Sequence, residues 1–421
     1  MKKVRIGMIG LGTVGSGVFK CLQNNEQVEI VQIAVKNLNK TRNIDGLNPA
    51  ILTDDVMAVA KNPDVDILVE VIGGVNPAID IIKTAIESGK HVVTANKELL
   101  AKFGSELFAL AKKHNKVILY EAAIAGGIPI VMPLKTTLCG NKISKIMAIV
   151  NGTTNYILTK MDSEHADYEE TLKQAQALGY AETDPSGDVK GLDAKYKITT
   201  LSTIAFGKKV SLDKVFCEGI TKVKSEDMVY ANEFGYKIKL IALAQTTEDG
   251  KADVRVHPML IKKSHPLANI NDVTNAVMLS GHPVGDVMLS GPGAGEFPTA
   301  SSVIGDILTL TSEINQNPLP IMQCHDDKVA EMVDILDTVN RYYISINASN
   351  NFGVIESLGR IFAQNKISIS MLLQKGLQAD NTANIIVVTE ECLEKNIRHA
   401  IDNLNNEKCV KKINSFIRVM E

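Results

Sequence analysis

Short apolar runs alternate with helical patterns over residues 1–130. Five runs predict strands, and several are apolar nearly throughout, as in strands buried on both faces of a parallel sheet: 4–9, 29–35, 67–71, 92–94 and 117–121. The segments between them, such as 14–23 and 77–88, are long enough to form crossover helices. Residues 1–130 are therefore predicted to form a doubly wound α/β domain.

The pattern changes from about residue 131. Helical spacing covers 199–206 and 229–244, a strand is predicted near 254–257, and turns with proline and glycine become frequent. These features predict a separate α+β domain over 131–289. The segment that follows is rich in glycine and then turns helical, and we expect residues 290–315 to complete the first domain.

The C-terminal part shows a third pattern. Strands are predicted at 341–348, 367–373, 385–389 and 410–419, and helices at 353–363 and 393–403. The order βαββαβ is that of a small ferredoxin-like domain, which we place at 337–421. The stretch before it contains two prolines without clear periodicity, so residues 316–336 are predicted to be a linker.

Composition narrows the class of protein. The 421 residues suit two to three domains at about 100–200 residues each, and the net charge of −3 gives no reason to expect nucleic acid or an anionic membrane as partner. Neither a signal peptide nor a run of about 18 apolar residues is visible. Six scattered cysteines without metal-type spacing suit a reducing compartment. We therefore expect a soluble, cytoplasmic, multi-domain protein.

A glycine-rich motif lies between the first strand and the first helix. Gly10, Gly12 and Gly15 form a GxGxxG pattern, in which the glycines allow a tight turn, close approach of a pyrophosphate, and packing of helix on strand. Thr13 and Val14 open the helix, whose N-terminus favours an anion. The context predicts a Rossmann-type site that binds a dinucleotide through these five residues. The alternative is a glycine-rich turn without a ligand.

The end of the second predicted strand bears on the choice of cofactor. A site specific for NAD usually carries an acidic residue about 20 residues beyond the glycines, which binds the ribose hydroxyls. This chain has Lys36 at that place, followed by Lys40 and Arg42. Basic groups suit a 2′-phosphate, so NADP is predicted, with NAD tolerated. The alternative is a solvated basic loop.

Two further strand ends should face the cofactor, because ligands bind outside the carboxyl ends of such sheets. The sequences are EVIGG (70–74) and TANK (94–97), which place Ile72 and Lys97 there. Lys97 would then lie near the nicotinamide or the substrate. Spacing alone equally allows a surface lysine that opens a helix.

Carboxylates are concentrated in residues 182–193. Glu182 and others precede a predicted helix on which Asp193 and Lys197 lie four residues apart on one face. Such pairs are common on ordinary helices. The preceding acidic residues favour a functional interpretation, in which carboxylates hold an ammonium group while a lysine transfers a proton.

With these motifs the chain closely resembles homoserine dehydrogenases over about residues 1–315. The resemblance implies reversible NAD(P)-dependent interconversion of L-homoserine and L-aspartate 4-semialdehyde, in threonine, methionine and isoleucine biosynthesis. The motifs that carry it are GLGTVG (10–15), VIGG (71–74), TANK (94–97), EAAIAGGIP (121–129), NGTTNYIL (151–158), LGYAETDPSGDVKGLDAKYK (178–197) and GPGAGEFPTA (291–300).

The resemblance also implies roles for single residues. Lys197 matches the general acid/base, Lys97 the lysine beside nicotinamide and substrate, and Glu182 and Asp193 the carboxylates that hold the substrate. The remaining matches are the substrate-pocket positions Gly152, Thr153 and Tyr180, the cofactor contact Gly295, and a cation site, with sodium expected, formed by Glu121 and the carbonyls of Ile124, Gly126 and Ile128.

The C-terminal part resembles an ACT domain, an amino-acid-sensing module of biosynthetic enzymes. Its usual first loop has aspartate and then Pro-Gly, whereas this chain has Asn350, Asn351 and Phe352 before Gly353. The resemblance implies feedback inhibition, with L-threonine as the first candidate, and a role in assembly alone is the alternative. The family implies a homodimer or homotetramer, and we expect a monofunctional enzyme without a fused aspartate kinase.

Two other functions fit the same architecture. An aspartate-semialdehyde dehydrogenase would need a thiolate nucleophile, and none of the six cysteines has an evident activating environment in the sequence. A metabolite sensor without catalysis would not need Lys97, Glu182, Asp193 and Lys197 together. The residues therefore favour the dehydrogenase.

Overall fold

The computed structural model describes residues 3–315, 326–377 and 381–420. Its strands are β1 (Val4–Ile9), β2 (Val28–Ala34), β3 (Leu52–Thr53), β4 (Ile67–Glu70), β5 (His91–Thr94), β6 (Ile118–Leu119), β7 (Lys142–Ile149), β8 (Lys208–Lys209), β9 (Phe216–Cys217), β10 (Tyr236–Thr246), β11 (Ala252–Lys262), β12 (Thr274–His282), β13 (Gly285–Pro292), β14 (Asp326–Val329), β15 (Val339–Ser349), β16 (Ile369–Leu377), β17 (Thr382–Thr389), β18 (Cys392–Leu393) and β19 (Val410–Val419).

The α-helices are α1 (Thr13–Leu22), α2 (Val56–Lys61), α3 (Ala78–Glu87), α4 (Lys97–Lys113), α5 (Ala122–Ala125), α6 (Val131–Lys135), α7 (Gly152–Glu164), α8 (Tyr168–Ala177), α9 (Ser186–Val189), α10 (Leu192–Phe206), α11 (Ser225–Glu233), α12 (Glu296–Ile314), α13 (Val354–Gln364) and α14 (Glu394–Asn405). Short 3₁₀ turns occur at Pro49–Ile51, Leu212–Lys214, Pro266–Asn269 and Ile335–Asp337.

The chain divides into two compact units, which are described separately. The first comprises Met1–Ile146, Asp193–Leu212 and Thr274–Ala330, and the second comprises Met147–Leu192, Asp213–Val273 and Glu331–Glu421. The predicted C-terminal domain, 337–421, belongs to the second unit in this division.

A parallel six-stranded sheet forms the centre of the first unit. The strand order is β3-β2-β1-β4-β5-β6, and every pairing is parallel, which confirms the predicted doubly wound domain. All residues of β4 and β5 are buried, which explains the apolar runs at 67–69 and 92–93.

Helix α12 packs against α1 in the first unit. A Cβ on Gly17 would lie only 2.6 Å from the carbonyl oxygen of Glu296, so the two helices approach closely. Lys20 pairs with the carboxylate of Glu296 at 2.7 Å. Buried side chains of both helices, such as Val18 and Ile307, belong to the same hydrophobic core.

The helix predicted over 229–244 was wrong beyond Glu233. Helix α11 ends there, and Gly235 takes a φ of +81°, a left-handed conformation that stops a helix. Strand β10 follows and pairs with β11 along its length. Because seven consecutive residues of β10 are buried, its sequence shows no alternation, and periodicity alone cannot distinguish such a run from a helix.

Six strands of the second unit lie in the order β10-β11-β19-β15-β17-β16. Strand β19 is parallel to β11 and antiparallel to β15. The C-terminal elements follow one another as βαββαβ, apart from the two-residue β18, and this confirms the predicted order. The apolar positions that predicted α13 are all buried: Val354, Leu358, Ile361 and Phe362.

Part of the predicted linker is structured. Strand β14 pairs with β8 in the first unit, and a 3₁₀ turn forms at Ile335–Asp337. Residues 316–325 of that prediction, including Cys324, lie outside the described residues. Within the described ranges, no helix is both long enough and apolar enough to cross a membrane.

A buried group of charged residues, which we call the Arg418 cluster, lies in the second unit where β19 meets β11. The Arg418 guanidinium donates to Glu394 (Nε to Oε2, 2.9 Å) and to Glu218 (3.2 Å). The Tyr342 hydroxyl donates to the Glu394 carboxylate at 2.8 Å. Its remaining members alternate along one face of β11 and are Asp253, Arg255 and His257.

Charge within the cluster is balanced by pairing. Burial alone would raise the pKa of Glu394, but Arg418 lowers it below its ordinary value. Burial, followed by the neighbouring arginines, places the pKa of His257 well below its ordinary value, so this imidazole is neutral. Because both charges are desolvated, the Arg418–Glu394 pair is costly to break on one side alone.

Candidate active site

The loop between β1 and α1 is shaped to receive a phosphate group. Gly10 has a φ of +105°, and a Cβ on Gly15 would lie 2.3 Å from the carbonyl oxygen of Gly10. A Cβ on Gly12 would meet no atom within 4 Å, so it would occupy only the open space above the loop. No side chain caps the start of α1 at Thr13, so its amide groups suit an anion. These residues fit a dinucleotide pyrophosphate.

The basic residues in the loop after β2 differ in their contacts. The Arg42 guanidinium donates to the carbonyl oxygens of Asn37 (2.7 Å) and Lys40 (2.9 Å), so Arg42 braces the loop itself. Lys36 and Lys40 are exposed. Contact of Lys36 with a 2′-phosphate therefore stays a prediction, while Arg42 already has a structural role.

The ends of β4 and β5 lie beside the glycine loop. Ile72 is exposed although apolar, and its Cγ2 lies 2.8 Å from the place of a Cβ on Gly10. Lys97 is the first residue of α4, which Asn96 caps by accepting a hydrogen bond from the amide of Leu99 (3.1 Å). Both residues thus lie at the carboxyl edge of the parallel sheet, where ligands of such sheets bind.

A single carboxylate connects both lysines that the sequence singled out. Asp193 Oδ2 accepts from Lys197 Nζ at 2.7 Å, and Asp193 Oδ1 forms an ion pair with Lys97 Nζ. The side chains of Lys197 and Asp193 are only 9% and 6% exposed, whereas that of Lys97 is 44% exposed. The pair on α10 is therefore buried, unlike an ordinary surface pair, and it fixes the position of a group that can transfer a proton.

In the second unit, the segments around α7 and α8 are joined by hydrogen bonds. Asn151 caps α7 by accepting from the amide of Thr154 (2.8 Å), and its Nδ2 donates to Asp188 Oδ1 (2.7 Å). The Thr153 hydroxyl donates to the carbonyl oxygen of Tyr180 at 2.6 Å. No individual role was predicted for Asn151, although asparagine before a helical run is a recognisable cap.

Other predicted substrate residues of the second unit are less constrained. A Cβ on Gly152 would lie 3.0 Å from the carbonyl oxygen of Val273, so a larger residue would crowd that loop. Glu182 is exposed, and its carbonyl oxygen accepts from Gln176 Nε2 at 3.0 Å. The role of Glu182 stays a prediction.

Glu121 is a buried carboxylate held by backbone amides. Its Oε1 accepts from Ile130 (2.6 Å) and Val131 (2.7 Å), and its Oε2 accepts from Met132 (2.7 Å). Burial raises the pKa of Glu121 in spite of these bonds. Asp306, which accepts from the Glu121 amide at 2.8 Å, has a pKa far above its ordinary value because it is buried. A cation would favour the charged form of Glu121.

The Glu121 carboxylate and the Gly126 carbonyl both keep unused acceptor capacity, which is what a cation needs. A carboxylate accepts about four bonds and a carbonyl two. Glu121 accepts three from amides, and the carbonyl of Gly126 accepts one from the Ser302 hydroxyl (2.6 Å). Across the described residues, no group of three or more His, Cys, Asp or Glu side chains is arranged to hold a metal.

Gly295 precedes α12 with a φ of +124°, which side chains rarely adopt. No side chain caps this helix. The geometry leaves amide groups at its first turn, and a cofactor contact there stays a prediction.

Comparisons with known proteins agree with this arrangement. A family model described as "Homoserine dehydrogenase, NAD binding domain" matches residues 10–121, and one described as "Homoserine dehydrogenase" matches residues 129–308. Homoserine dehydrogenase from Synechocystis is 43% identical, and the alignment covers 99% of each chain.

Solved structures show the same similarity. The crystal structure of a homoserine dehydrogenase from Thiobacillus denitrificans has a TM-score of 0.94 and 38% identity, and the match covers 100% of this chain and 99% of that one. A hyperthermophilic archaeal homoserine dehydrogenase in complex with NADPH has a TM-score of 0.64 and 28% identity, covering 74% of this chain and 98% of that one. This chain therefore belongs to the homoserine dehydrogenases, a family of NAD(P)-dependent oxidoreductases.

Proposed function

We propose that this chain catalyses the reversible interconversion of L-homoserine and L-aspartate 4-semialdehyde, with NADP as the preferred cofactor. The observation that carries the proposal is the Asp193 carboxylate, which contacts the ammonium groups of both Lys97 and Lys197. This arrangement places a buried lysine on a rigid helix in the unit that also holds the glycine loop. In the cell the reaction would serve threonine, methionine and isoleucine biosynthesis.

Each residue has a distinct part in the proposed reaction. The nicotinamide, when bound, takes the hydride from the hydroxyl-bearing carbon or returns it to the aldehyde. Lys197 accepts the hydroxyl proton during oxidation and donates it during reduction. Asp193 orients Lys197, and Lys97 stabilises charge on the substrate oxygen. The substrate ammonium group pairs with Glu182.

The proposal is tested by following the absorbance of reduced nicotinamide. L-homoserine with NADP or NAD should give an increase, and L-aspartate 4-semialdehyde with the reduced cofactor should give a decrease without added phosphate. L-serine, which lacks one methylene, serves as the control substrate. No homoserine-dependent change with either cofactor would refute the proposed function.

A thiolate mechanism has no support from Cys392 or Cys409. Burial raises the pKa of the Cys392 thiol to about 11, and burial also raises the pKa of Cys409. A nucleophilic cysteine requires the opposite shift. The reaction should therefore persist after treatment with a thiol-blocking reagent.

Replacement of Glu182 by alanine should raise the KM for homoserine about tenfold to a hundredfold, because the ammonium group loses a charge-assisted hydrogen bond. The kcat should change little. Glu170, which is also exposed in the second unit, provides the matched control Glu170→Ala. An unchanged KM in Glu182→Ala, measured by steady-state kinetics, would place this residue outside the substrate pocket.

Cofactor choice is tested at Lys36. The wild-type kcat/KM should be larger with NADP than with NAD. Lys36→Asp should narrow or invert this preference, since it removes an attraction for the 2′-phosphate and adds a repulsion. The control Lys112→Asp makes the same charge change on the exposed end of α4. If the ratio of kcat/KM with NADP to kcat/KM with NAD is the same in Lys36→Asp and wild type, the basic loop does not contact the 2′-phosphate.

We also propose a monovalent cation, sodium, held by the carboxylate of Glu121 and the carbonyl oxygens of Ile124, Gly126 and Ile128. The remaining acceptor capacity of Glu121 and Gly126 supports it. Dialysed enzyme should gain thermal stability with sodium chloride but not with choline chloride at the same ionic strength.

We propose a homodimer or homotetramer whose C-terminal βαββαβ elements form an ACT domain that responds to L-threonine. A cavity of about 380 Å³ beside the start of α13, lined by Asn351, Phe352, Arg360 and Lys408 among others, supports a small ligand there. Threonine titration of the intact enzyme tests this, because deletion of the domain would also remove β19 from its pairing with β11. Activity that is independent of threonine would favour a role in assembly alone.

A further inference from the structure

Glu70, the last residue of β4, is a fully buried carboxylate that the proposed reaction does not use. Its Oε1 accepts from the amides of Ile72 (2.9 Å) and Gly73 (3.1 Å), and its Oε2 accepts from the Thr94 hydroxyl (2.6 Å). Within the described ranges, no lysine, arginine or histidine pairs with it. Burial of an uncompensated charge is costly, so this carboxylate must be held by these three donors.

The hydrogen bonds continue from Thr94 into the first turn of α4. Thr94 Oγ1 also accepts from the amide of Asn96 at 3.1 Å. The Asn96 side chain donates to the carbonyl oxygen of Gly74 (2.6 Å) and accepts from the amide of Leu99 in the first turn of α4. The bonds therefore form a closed circuit between the turn after β4 and the start of α4.

The closed circuit joins two segments that carry predicted site residues, the 71–74 turn and the first turn of α4. Gly73 and Gly74 both have a φ of +71°, which glycine adopts freely, and because neither has a side chain, hydrogen bonds must fix the path of the turn. Ile72 lies in the same turn beside the glycine loop. On the other side of the circuit, Lys97 directly follows Asn96 and pairs with Asp193.

We propose that Glu70 is a positioning residue for the reaction, because its carboxylate fixes the 71–74 turn relative to the first helical turn that carries Lys97. The inference rests on the proposed function. Glu70 acts through backbone and side-chain donors, and it does not touch the reacting atoms. A displacement of about 1 Å in such a site can cost as much as a hundredfold in rate.

The test uses two variants that break the circuit at different bonds. Glu70→Gln replaces one accepting oxygen with a donor, and Thr94→Val removes the hydroxyl with little change of shape. Each should lower kcat about tenfold or more. Their double variant should be scarcely slower than either single variant, because both remove the same connection. If Glu70→Gln does not fold, Thr94→Val carries the same test.

The pH profile separates positioning from general loss of structure. When Lys97 moves away from Asp193, Lys197 loses a positive neighbour and keeps its proton to higher pH. In the pH profile of kcat for homoserine oxidation, the acidic limb should therefore move to higher pH, by about half a pH unit or more. Lys97→Ala, as a reference, should move the limb in the same direction. A variant that is merely unstable would have a lower kcat at every pH, with the acidic limb of its pH profile at the wild-type position.

Thr311→Val provides the matched control, since Thr311 is a buried threonine of the first unit whose hydroxyl donates within α12 (2.8 Å). Its kcat and pH profile should equal those of wild type. If the wild-type enzyme is active and Thr94→Val has the same kcat and the same acidic limb of the pH profile, the role of Glu70 is overturned. The proposed function then still stands. Inactive wild-type enzyme would overturn the proposed function and this inference together.

Discussion

Lys197→Ala should lower kcat for homoserine oxidation by about 10²–10⁴-fold, the usual contribution of a general acid or base. The structure strengthens this expectation, because Lys197 is 9% exposed and is oriented by Asp193 at 2.7 Å. Water cannot readily replace a buried group of this kind. Binding of NADPH, followed by its fluorescence, should be almost unaffected because the glycine loop is unchanged.

Lys195→Ala is the matched control for this experiment. Lys195 lies on the same helix, two residues before Lys197, and is partly exposed. Its kcat should remain near the wild-type value. A near-normal kcat in Lys197→Ala would remove that lysine from the proton transfer, and Lys97 would become the next candidate.

Arg418→Met should lower the free energy of unfolding by about 3–5 kcal/mol, the usual cost of removing one partner from a buried ion pair. Methionine keeps the unbranched stem of arginine but ends before the guanidinium, so it cannot donate to the Glu394 carboxylate, which is fully buried. Arg398 still pairs with that carboxylate, at 2.7 Å, but from a partly exposed position. Denaturant unfolding monitored by circular dichroism would measure the change.

Two comparisons identify the cause of that loss. Lys411→Met makes the same kind of change at an exposed position of β19 and should alter stability by no more than about 0.5 kcal/mol. Arg418→Met combined with Glu394→Gln should recover part of the loss, because no uncompensated charge is then buried. No recovery would mean that packing of Arg418 on the Phe216 ring, 4.8 Å away, is the larger contribution.

The stability that the Arg418–Glu394 pair contributes should depend on pH. Arg418 lowers the pKa of Glu394, so the pair contributes stability above the unfolded pKa of about 4.3 and loses it as the pH falls through the lower folded value. The difference in stability between wild type and Arg418→Met should therefore shrink in acid. A constant difference down to low pH would indicate an uncharged interaction.

Some parts of this structure could be predicted because local sequence determines them. Strands β1 and β19 have the predicted bounds, and Gly10 and Gly15 have the close backbone approaches that their motif requires. Burial of β4 and β5 on both faces leaves a continuous apolar run that is readily recognised. The resemblance to a family then gave roles that spacing alone left open.

Other parts could not be predicted, because they depend on contacts between distant residues. The spacing of Asp193 and Lys197 indicated their pair, but nothing in it showed that Lys97 would join the same carboxylate. The donors to Glu70 come mainly from turns whose path is set by two left-handed glycines. The error in β10 arose for a related reason, since burial on both faces removes the alternation that identifies a strand.

The position of β19 has a consequence for how the protein is made. This strand lies between β11 and β15, yet it follows the other described strands along the chain. Until residues 410–419 leave the ribosome, one edge of β15 lacks its neighbour and β11 lacks its pairing at Met259 and Leu260. Arg255 and His257 also lack the neighbouring Arg418 over that time. Such an open edge can pair with other chains, and pairings between distant segments form slowly. We therefore expect newly made chains to depend on chaperones until β19 is released, and we expect expression at lower temperature to raise the soluble yield.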